Sequence, residues 1–296
     1  MEIKLDNLSI FEFQKNFSSD EDCRKYLYDL KWSNGFTCRR CGHTNGCKGN
    51  GNYSKKCTRC NTQESATAHT LFHKCKFSLL KAFWIVYYVS TTKSGISSME
   101  LSRKLNLRQK TAWLFKRKVM QAMESSKRNP MKGDVEVDEF VVGGKEKGVK
   151  GRKSGKKKKV VIAIERKSKG VARIYTRVID KASKAQILPF IRDHIDKDAR
   201  LKTDKWSAYK NISDEFPNHS SVLSENGKNF DQLHRCIMMI KSYIRGIYHS
   251  VSDLQAYLDE YCYRYNRHRM KNGIFENLMA KMVYHKPVTY KDIQHA

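Results

Sequence analysis

From Val135 to Gly144 the chain alternates apolar and acidic positions, Val135-Glu136-Val137-Asp138-Glu139-Phe140-Val141-Val142, and runs into Gly143-Gly144. A period of two is the pattern of a half-buried strand and turns Val135, Val137 and Val141 toward a core. Asp138 and Glu139 then project to opposite faces, so one carboxylate can overlook a cleft while the other meets solvent. Val160-Val161-Ile162-Ala163-Ile164-Glu165 and Val171-Ala172-Arg173-Ile174-Tyr175-Thr176-Arg177-Val178 predict two further strands. Ala185 to Ile195 has helical spacing, with Ile187, Leu188 and Ile191 on one face. Leu201-Lys202-Thr203-Asp204-Lys205-Trp206 predicts a short strand ending in an acid. Three strands, a helix and a fourth strand follow the ribonuclease H-like order, in which the ends of the first and fourth strands lie side by side. Asp138 and Asp204 are therefore expected to face each other across one site. Downstream, Gln232 to Arg245 predicts a helix ended by Gly246. His234 and Lys241 lie seven residues, or two turns, apart on it, so a ligand and a cation point the same way. Tyr257, Tyr261 and Tyr265 fall at i, i+4 and i+8 and read as the packing stripe of another helix.

The N-terminal half carries different patterns. Ser78-Leu79-Leu80-Lys81-Ala82-Phe83-Trp84-Ile85-Val86-Tyr87-Tyr88 is apolar on nearly every side and predicts a buried helix. Ile96 to Leu105, a break at Asn106-Leu107, and Arg108 to Lys118 then read as two short helices, the first capped by Ser97 or Ser98. The second is basic along one side and has Ala112, Phe115 and Val119 at core spacing. Such a pair fits a helix-turn-helix whose second member enters a major groove, a pattern shared by helical hairpins that bind nothing. Before it, Cys38-Arg39-Arg40-Cys41 and Cys57-Thr58-Arg59-Cys60 form a C-x2-C-x15-C-x2-C array. Each pair can sit on a tight turn, helped by Gly42 and Asn61, and present two thiolates to one tetrahedral zinc. Tyr53-Ser54-Lys55-Lys56 reads as a short strand and completes a zinc-ribbon outline. His43 and Cys47 are less well spaced alternative ligands, and Cys23, Cys75, Cys236 and Cys262 are expected as small buried hydrophobes.

Charge gives these patterns a partner. The 296 residues include 58 Lys+Arg against 30 Asp+Glu, a net charge of +28, which favours nucleic acid or an anionic membrane. The run Ala82 to Val89 is far short of the roughly 20 residues needed to span a bilayer. Met1-Glu2-Ile3-Lys4-Leu5-Asp6 lacks the basic start and apolar stretch of a signal peptide. The expected setting is the cytosol, where the nine cysteines stay reduced and metal binding outweighs disulfides. Basic surface attracts polyanions, whereas clustered carboxylate repels them unless a divalent cation lies between. Asp138 in so basic a chain thus points to metal-dependent chemistry on nucleic acid. Lys145 to Lys159, with nine Lys or Arg, one Glu and three Gly, is expected as a mobile basic loop over a phosphate backbone. Asn129-Pro130-Met131-Lys132-Gly133 reads as a linker.

Together these residues resemble the DDE transposases of bacterial insertion sequences, in the zinc-ribbon, ISXO2-like branch. The matching pieces are the four-cysteine ribbon, Val135-Glu136-Val137-Asp138-Glu139 with its Gly-Gly, and Thr203-Asp204-Lys205-Trp206 with Tyr209. His234 with Lys241, Ile244 to His249, and Tyr257-Leu258-Asp259-Glu260-Tyr261 through Arg264-Tyr265-Asn266-Arg267 complete them, over roughly residues 20 to 270. The resemblance implies a zinc ribbon at 20–75, a helix-turn-helix-like module at 76–128 and an α/β ribonuclease H-like catalytic domain at 133–285. It implies that Asp138 and Asp204 bind two catalytic Mg²⁺ or Mn²⁺ ions, with His234 in the third position and Lys241 on DNA near the cleaved end. Imidazole suits Mg²⁺ less well than carboxylate does, which favours Mn²⁺, and Glu225 and Asp231 are fallback third ligands. The implied activity is binding of the element's ends, cleavage and strand transfer by a homo-oligomer on double-stranded DNA of the bacterial nucleoid. Two other classes stay open: a DNA-binding regulator derived from a transposase, and a ribonuclease H-like nuclease that only hydrolyses. A joining assay separates the last from a transposase.

Overall fold

A computed structural model describes residues 8–144, 157–168, 170–248, 253–270 and 273–294. The chain divides into two compact units, Met1–Met123 with His268–Ala296, and Glu124–Arg267. The Lys145–Lys156 part of the expected basic loop lies outside the described residues.

The first unit opens with α1 (Ile10–Asn16) and α2 (Asp20–Lys31), each started by a reciprocal serine cap, Ser9 with Glu12 and Ser19 with Asp22. A three-stranded antiparallel ribbon follows, β1 (Gly46–Lys48), β2 (Ser54–Cys57) and β3 (Gln63–Ser65). It is tied to α2 through Lys31, whose ammonium lies 2.6 Å from the Glu64 carboxylate and donates to the Ser65 and Ala68 carbonyls. Both charges are buried, so each depends on the other to offset its desolvation. Helix α3 (Leu79–Thr91) is buried along most of its length, as its composition predicts. Helices α4 (Ser98–Leu105) and α5 (Gln109–Gln121) form the expected hairpin, with Ser97 as the cap and Asn106 turning the chain in the left-handed region at φ 47°. The basic side expected on α5 is interrupted. Lys116 and Arg117 are buried, with the Lys116 ammonium donating to the Ile96 carbonyl at 2.7 Å, which leaves Gln109 and Lys110 exposed at the helix start.

The second unit is a five-stranded sheet: β4 (Asp134–Val142), β5 (Lys158–Lys167), β6 (Gly170–Ile179), β7 (Arg200–Thr203) and β8 (His219–Ser221). Its order is β6-β5-β4-β7-β8, with β4, β5 and β6 antiparallel and β4, β7 and β8 parallel. This is the ribonuclease H-like arrangement, and it includes a fifth strand too short for the sequence pattern to mark. Odd positions of β4 and β5 (Val135, Val137, Val161, Ala163) pack under α6 (Lys184–His194). The opposite face (Phe140, Val160, Ile162, Ile164) packs under α7 (Asp231–Ile247) and α8 (Leu254–Asn266). Helix α7 runs through Gly246 rather than stopping there. Strand β6 is an edge, and its outward backbone groups find partners on α8. The Asn266 amide accepts from the Ile174 N–H and donates to the Ile174 carbonyl, and Gln255 serves Val178 and Thr176 in the same way. Residues 129–133 are not a free linker: Met131 is fully buried, and Arg173 holds the Asn129 and Pro130 carbonyls.

Val141 departs from its expected place and is 38% exposed. The β4–β7 ladder ends at Val137–Thr203, so the last residues of β4 project past β7 and, among the described residues, have β5 as their only ladder partner and no core beneath Val141.

After the sheet the chain returns to the first unit as α9 (Gly273–Tyr284) and α10 (Tyr290–Gln294). Phe275 is fully buried there among Phe13, Phe17 and Phe83. The final stretch of the expected 133–285 segment therefore supplies core to the N-terminal helices, because its apolar face meets their aromatic cluster.

Candidate active site

The ribbon cysteines come together as their spacing predicts. Cys38 and Cys60 sulfurs lie 3.5 Å apart, Cys41 and Cys57 3.7 Å, and all four are within 4.8 Å of one another. Sulfurs about 2.3 Å from a tetrahedral zinc sit at such mutual separations. Gly42 at φ 72° and Asn61 at φ 59° occupy equivalent left-handed positions in the two knuckles, with backbone bonds Gly42 N–H to Cys38 O and Asn61 N–H to Cys57 O. The Thr62 hydroxyl and backbone hold the Cys60 thiol down to about 6, which favours the thiolate a metal takes. The alternative ligands do not join: Cys47 is exposed with its sulfur on the Lys56 carbonyl, and the His43 carbonyl is engaged by Cys38 N–H. Cys23, Cys236 and Cys262 are buried as expected, whereas Cys75 is only partly so.

The second centre is built where the β4–β7 ladder ends. Val137 and Thr203 form the last pair of the ladder, so Asp138, midway along β4, and Asp204, just past the end of β7, both follow it directly. Asp138 is an even position of β4 and faces α7, where its Oδ2 lies 3.8 Å from His234 Nε2. That gap exceeds a hydrogen bond. The His234 side chain is 44% exposed as a whole, yet its Nε2 is buried and has no hydrogen-bond partner among the described residues. Asp204 is fixed by local bonds: its Oδ1 accepts from Trp206 N–H at 3.0 Å and its carbonyl from the Ser221 hydroxyl. Lys241 lies two turns along α7 from His234, its ammonium 5.6 Å from the Phe140 ring. Burial and then Arg245 lower its pKa from the ordinary lysine value.

Glu139 faces the other way, as alternation requires. Its Oε2 accepts from the Tyr209 hydroxyl at 3.0 Å, on the α6 side of the sheet. Tyr209 is almost completely buried, and its pKa is raised well above that of free tyrosine by that burial and by the carboxylates of Glu139, Asp138 and Asp204. The phenol is therefore a neutral donor set among three acids. Asp231 points elsewhere, 3.8 Å from Arg166, which itself donates to the buried Glu136 at 3.0 Å. Glu225 sits in a short 3-10 turn, Glu225–Phe230, whose Gly227 abuts the His234 ring. Among the described residues, only the four cysteines gather three or more candidate metal-binding atoms within 4.8 Å.

Residues 130–266 match the model of the ISXO2-like transposase domain, and residues 18–63 match the transposase zinc-ribbon domain. The chain belongs to the zinc-ribbon, ISXO2-like transposases. The two matches fall in the order of the two motif sets and together span more than half of the chain. No curated protein matches it. Among solved structures, the Mos1 transposase paired-end complex with the left transposon end is 11% identical over 65% of this chain and 76% of that one. The TM-score of that match is 0.23. No helix among the described residues of this transposase-family chain is long and apolar enough to cross a membrane. Gly227 escaped the sequence reading, and its one available signal was a glycine seven residues before a candidate histidine.

Proposed function

We propose that the chain binds the ends of an insertion sequence and carries out metal-dependent DNA cleavage and strand transfer. Asp138, Asp204 and His234 hold Mg²⁺ or Mn²⁺, and Lys241 contacts the DNA beside the cleaved bond. The observation that supports this reading most directly is the junction of β4 and β7. Two acids follow the last ladder pair, and a buried imidazole nitrogen with no hydrogen-bond partner among the described residues lies 3.8 Å from one of them. Two carboxylates and an imidazole fit a divalent cation, the imidazole leaning toward Mn²⁺. A cation held by these three side chains would supply Lewis-acid chemistry for an in-line displacement at phosphorus.

The chain's own groups do the rest. Lys241, with Arg245 one turn further along α7, offers positive charge to the phosphates flanking the reacting bond. The α4–α5 hairpin, with Gln109 and Lys110 exposed at the start of α5, suits the major groove and would supply end recognition, with the zinc-loaded ribbon beside it in sequence. Lys31–Glu64 keeps that ribbon on α2.

The test uses zinc-loaded full-length protein and duplexes carrying the terminal repeats that flank the gene. Asp138→Ala and Asp204→Ala should reduce nicking and joining below detection while leaving the gel shift on end DNA within about threefold, since each removes a metal ligand rather than a phosphate contact. His234→Glu should retain joining and move the metal preference toward Mg²⁺. Nicking without any joined product would leave a nuclease, and a shift with neither activity would leave a regulator.

A further inference from the structure

Asp138 and Asp204 both lie one residue beyond the last rung of the β4–β7 ladder, Val137–Thr203. To share a cation, the two acids would have to stay close despite their like charge. A side-chain link spans the gap. The Tyr209 hydroxyl, on the 3-10 turn Ser207–Tyr209 that follows Asp204, donates to Glu139 Oε2 at 3.0 Å. Glu139 is the immediate neighbour of Asp138. At its other end the turn is tied to Asp204: Tyr209 N–H donates to the Trp206 carbonyl at 3.0 Å, and Trp206 N–H donates to Asp204 Oδ1 at 3.0 Å. The tyrosine ring is packed in the α6-side core with Ala208, Ile212 and Phe216, so its hydroxyl cannot swing away without breaking core contacts. Alternation puts Glu139 on the face opposite Asp138, and it therefore braces the strand from behind rather than reaching the α7 side.

We propose that Tyr209 and Glu139 form a strut that sets the separation of Asp138 and Asp204 and so tunes the affinity of that pair for a divalent cation. Both are positioning residues, not ligands. The proposal rests on the assignment of Asp138 and Asp204 as metal-binding residues. Groups that orient ligands from behind typically change metal affinity by about 10- to 100-fold when removed.

The experiment reads Mn²⁺ binding directly, by the loss of the free-ion electron paramagnetic resonance signal, on zinc-loaded full-length protein. Asp138→Ala is the control for the underlying assignment. If it binds Mn²⁺ as the wild type does, that assignment fails and the strut with it. With the control passed, Tyr209→Phe should weaken Mn²⁺ by at least about tenfold, and Glu139→Ala should do the same. Glu139→Gln, whose amide oxygen still accepts from the phenol, should stay within about threefold of wild type. The double variant Tyr209→Phe/Glu139→Ala should be no weaker than the worse single one, because one bond is lost in each case. A Tyr209→Phe protein that binds Mn²⁺ normally while Asp138→Ala does not would overturn the strut. Glu139→Gln losing as much as Glu139→Ala would also overturn it, by making Glu139 a ligand. Should Tyr209→Phe fail to melt cooperatively, Glu139→Ala, at a partly exposed position, decides alone by the same tenfold criterion.

Discussion

His234 is placed by a glycine. Gly227 sits at φ +92°, and a Cβ built there would lie 2.7 Å from the imidazole Nδ1, so the turn before α7 closes on the ring only because no side chain intervenes. Gly227→Ala combines a left-handed backbone penalty with displacement of the imidazole, a cost of about 1–3 kcal/mol. The expected outcome is a modest fall in thermal stability with a much larger loss of strand transfer and an unchanged shift on end DNA; equal losses of all three would make the glycine merely structural. The places of Asp138 on β4, Asp204 after β7 and His234 on α7 were legible in the sequence because alternation and helical period are local rules. The Tyr209 bond to Glu139 was not, since its partners are 70 residues apart and no periodicity links a turn tyrosine to a strand acid.

Helix α6 shows how an element carries a pH response away from the site. His194 ends it, buried against Tyr175 and Phe190, with Nδ1 3.0 Å from the Phe190 carbonyl. Burial, with Arg177 nearby, lowers its pKa to about 4. The unfolded chain takes up a proton near the ordinary histidine value of about 6.5, so between these values the unfolded state binds more protons than the folded one. Stability contributed by the neutral ring is complete above about pH 6.5 and is lost as pH falls toward 4, by up to about 3 kcal/mol. Melting of this unit between pH 7 and pH 5 should therefore slope downward in the wild type and less steeply in His194→Gln; parallel slopes would assign the response to other groups. Of this architecture, the three long strands, α6 and α7 could be read from periodicity. Strand β8, three residues long, and the burial of Lys116 and Arg117 could not, because one follows from pairing with β7 and the other from packing around α5.

The N-terminal unit is discontinuous, and this changes how it can be isolated. Phe275 is fully buried among aromatic rings of α1 and α3, and Tyr290 of α10 lies 6.5 Å from Trp113 of α5. A fragment ending near Pro130 lacks all of this; loss of Phe275 alone is worth about 3–5 kcal/mol. Such a fragment should show poorly cooperative melting. A single chain joining residues 1–123 to 268–296 through a flexible linker should melt cooperatively, hold one zinc, and unfold when that zinc is chelated. Equal cooperativity of the two would mean that the returning helices add nothing. The arrangement also fixes an order of events during synthesis. The first unit begins to emerge from the ribosome first, but α9 follows only after the entire sheet has been made, a delay on the order of ten seconds at ordinary elongation rates. A chain cut short by a frameshift or stop anywhere in the sheet can therefore never complete the unit that carries the α4–α5 hairpin. Under the proposed role of that hairpin in end recognition, damaged copies of the gene would yield products unable to occupy the DNA that an intact copy needs.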